Sequence, residues 1–273
     1  MLTDVHTHST FSADGETPLS GMLARAQELG IAYYGIAEHF DYDYLADGIL
    51  PEGKTVPMID ASAYFSEVRR LQESYAGRMH VLAGGEFGYT SNPAAHRMYQ
   101  ETIARFSPDF VVNSVHSVNG KDAWFSEYFA GKTREEAYRT YLEKVRESLD
   151  APYPYDIVAH IGYVSRNAPY SDNLLHYADF PDLFDDILSV IIARGKIVEV
   201  NSSARGAGDF LPGEDILARY FALGGRKISF ASGAHRAYRI LQGRDTVVRA
   251  LKKIGFTGIT VPDRGEHLLV PFD

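Results

Sequence analysis

The chain has 273 residues, 45% of them apolar and 23% charged, which suits a globular protein with a sizeable core and excludes disorder as its main theme. Its net charge of −9 argues against a general nucleic-acid binder or an anionic-membrane binder, both of which need basic surfaces. The absence of cysteine removes disulfides, thiolate metal sites and a cysteine nucleophile together, while 10 histidines remain to be explained. Apolar, β-rich runs fall at Leu2–Val5, Tyr33–Ala37, Met79–Gly84, Phe110–Val115, Tyr155–Ala159, Lys196–Val200 and Lys227–Ala231. Most are continuous rather than alternating, as expected of parallel strands covered on both faces. Helical segments follow each: Pro18–Leu29, with Thr17 as N-cap and Gly30 as its C-terminal glycine, then Asp60–Tyr75, Ala94–Phe106, Thr133–Leu149, Pro181–Ala193, Glu214–Leu223 and Ala237–Ile254. Repeated βα units predict a single domain over residues 1–273 that closes into a barrel, with an open doubly wound sheet as the alternative. The longest irregular stretch, Phe40 to Pro57, suits a lid or binding segment, and the end from Gly258 reads as a hairpin around Pro262-Asp263-Arg264-Gly265. No run approaches the length of a membrane helix, and the first residues lack the basic start and apolar centre of a signal peptide, so a cytoplasmic location is expected.

Barrels of parallel strands build their sites at the carboxyl ends of the strands. Here the first strand runs into His6 and His8, the second into Glu38-His39, the third into Glu86, the fourth into His116, the fifth into His160 and the sixth into Asn201. The seventh leads through Ser232-Gly233-Ala234 to His235. The i, i+2 spacing of His6 and His8 places both rings on one face of a strand, and Asp14 follows in a polar turn that can fold back toward them. Imidazole and carboxylate together suit zinc, manganese or iron rather than calcium or magnesium. Glu86 has two oxygens with which to bridge two ions, and the whole set suffices for two or three divalent metals. Such a cluster activates water and neutralises an anionic leaving group, so an acidic protein can still take a small phosphate ester. His80, His96, His176 and His267 lie outside this pattern and read as structural.

Taken in order, His6-Thr7-His8-Ser9, Ser12-Ala13-Asp14-Gly15, Glu38-His39, Glu86, Asn113-Ser114-Val115-His116 and Ala159-His160-Ile161 resemble the PHP (polymerase and histidinol phosphatase) superfamily, from residue 2 to about residue 240. Ser-Val-His-Ser, Glu199-Val200-Asn201-Ser202 and Ala234-His235-Arg236 look most like its histidinol-phosphate phosphatase branch. The resemblance implies a distorted (β/α)7 TIM-like barrel with a trinuclear metal site that hydrolyses L-histidinol phosphate in histidine biosynthesis. It implies one metal on His6, His8 and bridging Glu86, a second on Glu86, His116 and His160, and a third on Asp14, His39 and His235. Glu86, His235 and Arg166 become the candidate catalytic residues. Arg166, Arg205, Asn201 and Glu38 become the candidate substrate-binding residues, the arginines for phosphate and Glu38 or Asp41 for an ammonium group. Arg236 and Arg239 are weaker candidates for phosphate, and Tyr42, Tyr44, Tyr163 and Tyr177 are candidates to stack on an imidazole ring.

The sequence departs from the family at one place. An Ser-Asp-Ala-His run is usual before the last histidine, and this chain has Ser232-Gly233-Ala234-His235. The glycine removes a metal-binding carboxylate and a possible acid/base in one change. Three readings stand: drift in a paralogue of weak or altered activity, an inactivating substitution introduced to trap a complex, or compensation by another carboxylate such as Glu199. The functional alternatives follow from this: a phosphomonoesterase for histidinol phosphate, a PHP phosphoesterase for another small phosphate ester, or a catalytically silent protein that binds metal and phosphate.

Overall fold

The computed structural model describes residues 1–49, 58–204 and 208–272. Strands and helices alternate as the apolar runs predict: β1 (Leu2–Thr7), α1 (Leu19–Glu28), β2 (Ile31–Phe40), α2 (Tyr42–Asp47), α3 (Ala61–Tyr75), β3 (His80–Gly88), α4 (Pro93–Phe106) and β4 (Phe110–Ser114). A small excursion follows, with β5 (Ser117–Val118), β6 (Lys121–Asp122) and α5 (Ser126–Phe129). The main series resumes with α6 (Arg134–Ser148), β7 (Ile157–Val158), α7 (Pro181–Ala193), β8 (Ile197–Asn201), α8 (Glu214–Ala222), β9 (Ile228–Ala231) and α9 (Arg244–Ile254), and ends in β10 (Gly258–Asp263) and β11 (Glu266–Pro271).

The main sheet has seven strands in the order β1-β2-β3-β4-β7-β8-β9, every pair parallel. Its two edges meet: Thr7 bridges to Ala234, the His8 amide donates to the Ala234 carbonyl at 2.9 Å, and the Gly233 amide donates to the His6 carbonyl at 3.1 Å. The result is the nearly closed, TIM-like barrel that the βα repetition predicts, not an open sheet. Its interior is filled by inward-facing Val5, Ala37, Leu82, Phe110, Val112, Ile157, Ala159 and Ile197, against which the β10–β11 hairpin sets Val261 and Val270. Phe110 needs the glycines opposite it. A Cβ on Gly84 would stand 2.4 Å from its ring, and one on Gly35 would stand 3.0 Å from it.

The helices form the outer layer through apolar stripes at helical spacing, such as Leu19, Met22, Leu23 and Ala26 of α1 and Phe184, Ile187, Leu188 and Ile191 of α7. Each such side chain contributes roughly 1.5–3 kcal/mol when fully buried. Thr133 and Glu136 close a capping box at the start of α6.

Four expectations need correction. Thr17 does not cap α1; Pro18 occupies that position, and the Thr17 hydroxyl accepts from the Ala237 amide instead. The stretch from Phe40 is not wholly irregular, because β2 reaches Phe40 and α2 occupies Tyr42–Asp47, whereas residues 50–57 lie outside the described residues. The strand expected at Tyr155–Ala159 keeps only Ile157 and Val158, following a segment in which Pro152 and Pro154 have no amide to give to a ladder. The helix expected over Ala237–Ile254 is split by left-handed backbone at Leu241 and Gly243, so that α9 begins at Arg244. No helix among the described residues is long and apolar enough to cross a membrane.

Candidate metal centre and pocket

Every strand of the barrel delivers a side chain or backbone group to one mouth, a cavity of about 410 Å³. β1 supplies His6 and, one residue beyond its end, His8; β2 supplies His39, β3 Glu86 and β8 Asn201. His116 follows β4, His160 follows β7, and Gly233 and His235 follow β9. His160 adopts a φ of +23°, unusual for a residue with a side chain. Its amide is held by Glu199 Oε1 at 3.1 Å and its carbonyl by the Tyr163 amide at 2.9 Å.

Glu86, 1% exposed, is the hub. Its Oε1 lies 2.9 Å from His160 Nε2 and 3.2 Å from His116 Nε2. Its Oε2 lies 2.7 Å from His39 Nδ1, 3.3 Å from His6 Nε2 and 3.9 Å from His8 Nε2. Three groups have ligand atoms within 4.8 Å of one another: His6, His8 and Glu86; Glu86, His116 and His160; and His8, His39 and His235. The first two match the sets that the family resemblance implies. In the third, the compact trio contains His8, whose ring stacks 4.2 Å from both His39 and His235. Asp14 stands at the rim, 3.1 Å from His235 Nδ1 and 3.6 Å from His39 Nε2.

The charge balance shows what the cluster accepts. Burial pulls the His6 imidazole down, but Glu199 and Glu86 outweigh it and push the group up to about 10. His39 and His116 are raised in the same way, burial being overcome by Glu86. Burial presses His160 down to about 4, and burial with the neighbouring His39, His235 and His6 holds His8 well below its ordinary range. The Glu86 carboxyl stays well below its usual range because His6, His116 and His39 override the burial that would raise it. Some of the rings therefore seek positive charge while others, pressed against them, stay neutral. Meanwhile buried His6 Nε2, His39 Nδ1, His235 Nδ1 and Glu86 Oε2 make no directed hydrogen bond. Leaving such groups unmet costs about 1–3 kcal/mol each. Imidazoles that can exchange a proton for a metal, converging with an ionised carboxylate whose Oε2 makes no directed hydrogen bond, are the donor set that divalent zinc, manganese or iron takes, so the residues fit bound metal.

A supporting layer fixes these rings. Glu199 Oε2 accepts from His6 Nδ1 at 2.5 Å, turning His6 Nε2 toward Glu86, as in carboxylate–histidine–metal arrangements. Its Oε1 takes the His160 amide and the Asn201 side-chain amide. Both Glu199 oxygens are thus engaged in orienting the cluster, and neither stands in for the carboxylate missing at position 233. Gly233 lines the cavity with a φ of +57°, and a Cβ there would lie 3.3–3.5 Å from Ser203 and Asn201. Arg166 also lines the cavity; its Nη2 donates to Asn201 Oδ1 at 3.0 Å, and its buried Nε carries no hydrogen bond.

The mouth thus brings together His6, His8, Asp14, His39, Glu86, His116, His160, Arg166, Asn201 and His235. Glu38 is not among them. It is fully buried, and its oxygens accept from the Ser9 amide, the Ser9 hydroxyl and the Ser12 hydroxyl. Ser12 Oγ in turn accepts from the His39 amide, so Glu38 braces the ligand layer and cannot meet a substrate ammonium. Arg205 lies outside the described residues. Arg236 pairs with Glu16 and Arg239 lies over Tyr238. Tyr44 and Tyr163 line the cavity, whereas Tyr42 bonds Thr102 and Tyr177 bonds Asp185, away from it. Sequence reasoning missed Asp122, Trp124 and Phe125, which come from the β5–β6 excursion. Asn119-Gly120, at φ of +53° and +74°, is a hairpin signal that marks the place.

Barrel and mouth define a class: parallel-strand barrels that gather histidines and a carboxylate at their carboxyl ends into a candidate metal centre. The sequence pattern of the PHP domain matches residues 4–203, and the chain belongs to that family. It is similar to a histidinol-phosphatase of Lactococcus lactis subsp. lactis, 27% identical over 265 residues that cover 93% of this chain and 91% of that protein. A crystal structure of histidinol phosphate phosphatase from the same organism, complexed with zinc, L-histidinol and phosphate, superposes with a TM-score of 0.82 at 25% identity, covering 98% of both chains. A solved structure from Listeria monocytogenes shares the fold, with a TM-score of 0.76 at 21% identity, over 89% of this chain and 99% of the other.

Proposed function

We propose that the chain is a metal-dependent phosphoric monoester hydrolase whose substrate is L-histidinol phosphate, cleaved to L-histidinol and phosphate. The observation that carries this reading is the three-group His/Glu cluster sharing one cavity with Arg166. Its likeness to the Lactococcus lactis enzyme, over nearly the whole of both chains, supports the substrate. His6, His8, Glu86, His116, His160, His39 and His235, with Asp14 at the rim, would hold two or three divalent ions. When bound, such ions supply Lewis acidity for a phosphoryl oxygen and acidify water for attack on phosphorus.

The chain's own residues do the rest. Arg166, fixed by Asn201 and with its Nε unspent, orients the phosphoryl group by a charged fork. Glu86 neutralises the cluster and sets the spacing between its groups. Where only the first two groups hold ions, His235, 3.1 Å from Asp14 at the lip, is left to hand a proton to the leaving alkoxide as the ester P–O bond breaks and it becomes alcohol. Gly233 favours a second reading, a protein that binds metal and phosphate with little turnover, because it puts no side chain where the family places a carboxylate.

The deciding assay is phosphate release from L-histidinol phosphate by metal-loaded protein, before and after chelation. Turnover that is lost with the metal and restored by zinc or manganese is the expected result. Gly233→Asp, whose Cβ would press on Ser203 at 3.3 Å at a left-handed position that aspartate tolerates better than most residues do, should raise the rate by about 10-fold or more. If both proteins are inert, the substrate assignment fails.

A further inference from the structure

Arg166 stands on neither a strand nor a helix. It falls in the segment 159–180 between β7 and α7, whose own regular structure is two short 3-10 turns, Tyr163–Ser165 and Tyr177–Asp179. Side chains on loops are held less closely than those on rigid elements, unless the backbone beneath them is fixed. A long segment that carries a cavity cation therefore needs supports.

The outer part of the segment is anchored on α6 and the residues just before it. Arg134 Nη2 donates to the Leu174 carbonyl and, at 2.8 Å, to Asp179 Oδ2. The Tyr170 hydroxyl donates to the Lys132 and Thr133 carbonyls at 3.0 and 3.1 Å, and the Tyr138 hydroxyl donates to the Asn173 carbonyl at 2.7 Å. Asn173 passes this anchorage inward. Its side-chain amide donates to the Ser165 carbonyl at 3.2 Å, although Asn173 does not itself line the cavity. Ser165 is buried, and its carbonyl belongs to the peptide group that it shares with Arg166. The amide of that same group donates to the Tyr163 carbonyl at 3.1 Å, so the peptide is held at both ends. At the tip of the side chain, the Arg166 guanidinium lies 5.2 Å from the centre of the Tyr163 ring and donates to Asn201 Oδ1 at 3.0 Å. An arginine head stands several bonds from its backbone. A small tilt of the peptide therefore moves it by ~1 Å, and a misplacement of that size costs up to about 100-fold.

Resting on the phosphatase reading of this cavity, we propose that Asn173 is a positioning residue, whose bond to the Ser165 carbonyl sets the reach of Arg166 toward the phosphoryl group. Phosphate binding is thereby coupled to α6 through Tyr138, Asn173 and Ser165.

The test measures calorimetric binding of inorganic phosphate, and kcat and KM for L-histidinol phosphate, in metal-loaded wild type and variants. In Asn173→Ala the Kd for phosphate and the KM rise about 10-fold, kcat stays within about 2-fold, and bound zinc is unchanged. Asn173→Asp, which sets a carboxylate oxygen against the carbonyl, does no better, whereas Asn173→Gln keeps the donor and recovers part of the loss. Tyr138→Phe, which frees Asn173 from α6, weakens phosphate about 3-fold and gives a second route should Asn173→Ala fold poorly. In an Arg166→Ala background, Asn173→Ala adds less than about 2-fold, because the head that it aims is gone. Unaltered phosphate affinity in Asn173→Ala, or a loss of the same size with and without Arg166, overturns the proposal. A wild type that binds no phosphate overturns it as well. Absence of turnover with phosphate binding intact would sink the phosphatase reading instead, and the phosphate titrations would still judge Asn173.

Discussion

Two buried carboxylates on neighbouring strands, Glu86 at the mouth of the barrel and Asp109 at its foot, are 1% and 2% exposed. Asp109, just before β4, meets Arg69 Nη1 at 2.7 Å, Arg264 Nε at 2.8 Å, Gln72 Nε2 at 2.6 Å and the Ala83 amide at 2.8 Å. These donors keep their protons at any pH the protein meets, so the foot is satisfied as built and joins α3, β3, β4 and the β10–β11 turn. Glu86 faces five imidazoles instead, which can give up protons and accept a metal, and several of the facing atoms are left without directed bonds. Similar burial thus yields a structural clamp at one end and a candidate metal centre at the other. The difference lies in whether the partners have a fixed charge.

Substitutions can break or sharpen this contrast. The largest effect is expected from Glu86→Gln, which removes the charge shared by two of the groups. Bound metal, measured by elemental analysis, should fall by at least one ion, and phosphate release should fall on the order of 10³-fold. If metal and rate survive, Glu86 is a clamp like Asp109. Asp109→Asn should do the reverse, lowering unfolding free energy in urea by about 3 kcal/mol by leaving Arg69 without its counter-charge, with turnover per folded molecule within about 2-fold of wild type.

The same residue has a pH signature. Burial raises the Asp109 carboxyl, but Arg69, the Ala83 amide and Arg264 outweigh it and hold the group below its ordinary range. The unfolded chain therefore takes up this proton at a higher pH than the folded one. The stability is present above about pH 4 and is lost as the pH falls further, a slope that Asp109→Asn should flatten. The smallest effect belongs to Glu199→Gln, which keeps the shape beneath His6 but weakens its orientation. Zinc affinity, read by competition with a chelator, should drop about 10–100-fold. An unchanged affinity would show that His6 needs no bracing.

Much of this contrast can be read in the sequence, for physical reasons. Strands covered on both faces appear as continuous apolar runs, and the residues after each run land at the mouth, so His116 and His160, directly after theirs, and His235, four residues after its own, could be placed there without coordinates. Glu38 was misplaced although the sequence contains the reason to reject it. Neighbours in a strand point to opposite sides, so if His39 faces the cavity its predecessor cannot. Asp122, Trp124 and Phe125 were hidden because they sit on an excursion too short to show periodicity, marked only by its Asn119-Gly120 turn. Asp109 reads as an ordinary polar residue before a strand, since its partners come from residue 69 to residue 264.

The seam between β1 and β9 sets an order of assembly. Asp4 accepts from the Ser232 amide, 228 residues away in the chain. The ligands of two groups all lie between residues 6 and 160, while His235 enters only the third. On a ribosome, the first two groups can therefore come together on a partial barrel well before synthesis ends. The third waits for the last strand to close beside the first. On the proposed metal-centre reading, a nascent chain stalled before β9 would have both of these groups without a finished pocket, and capture of an ion would come before the ability to use it.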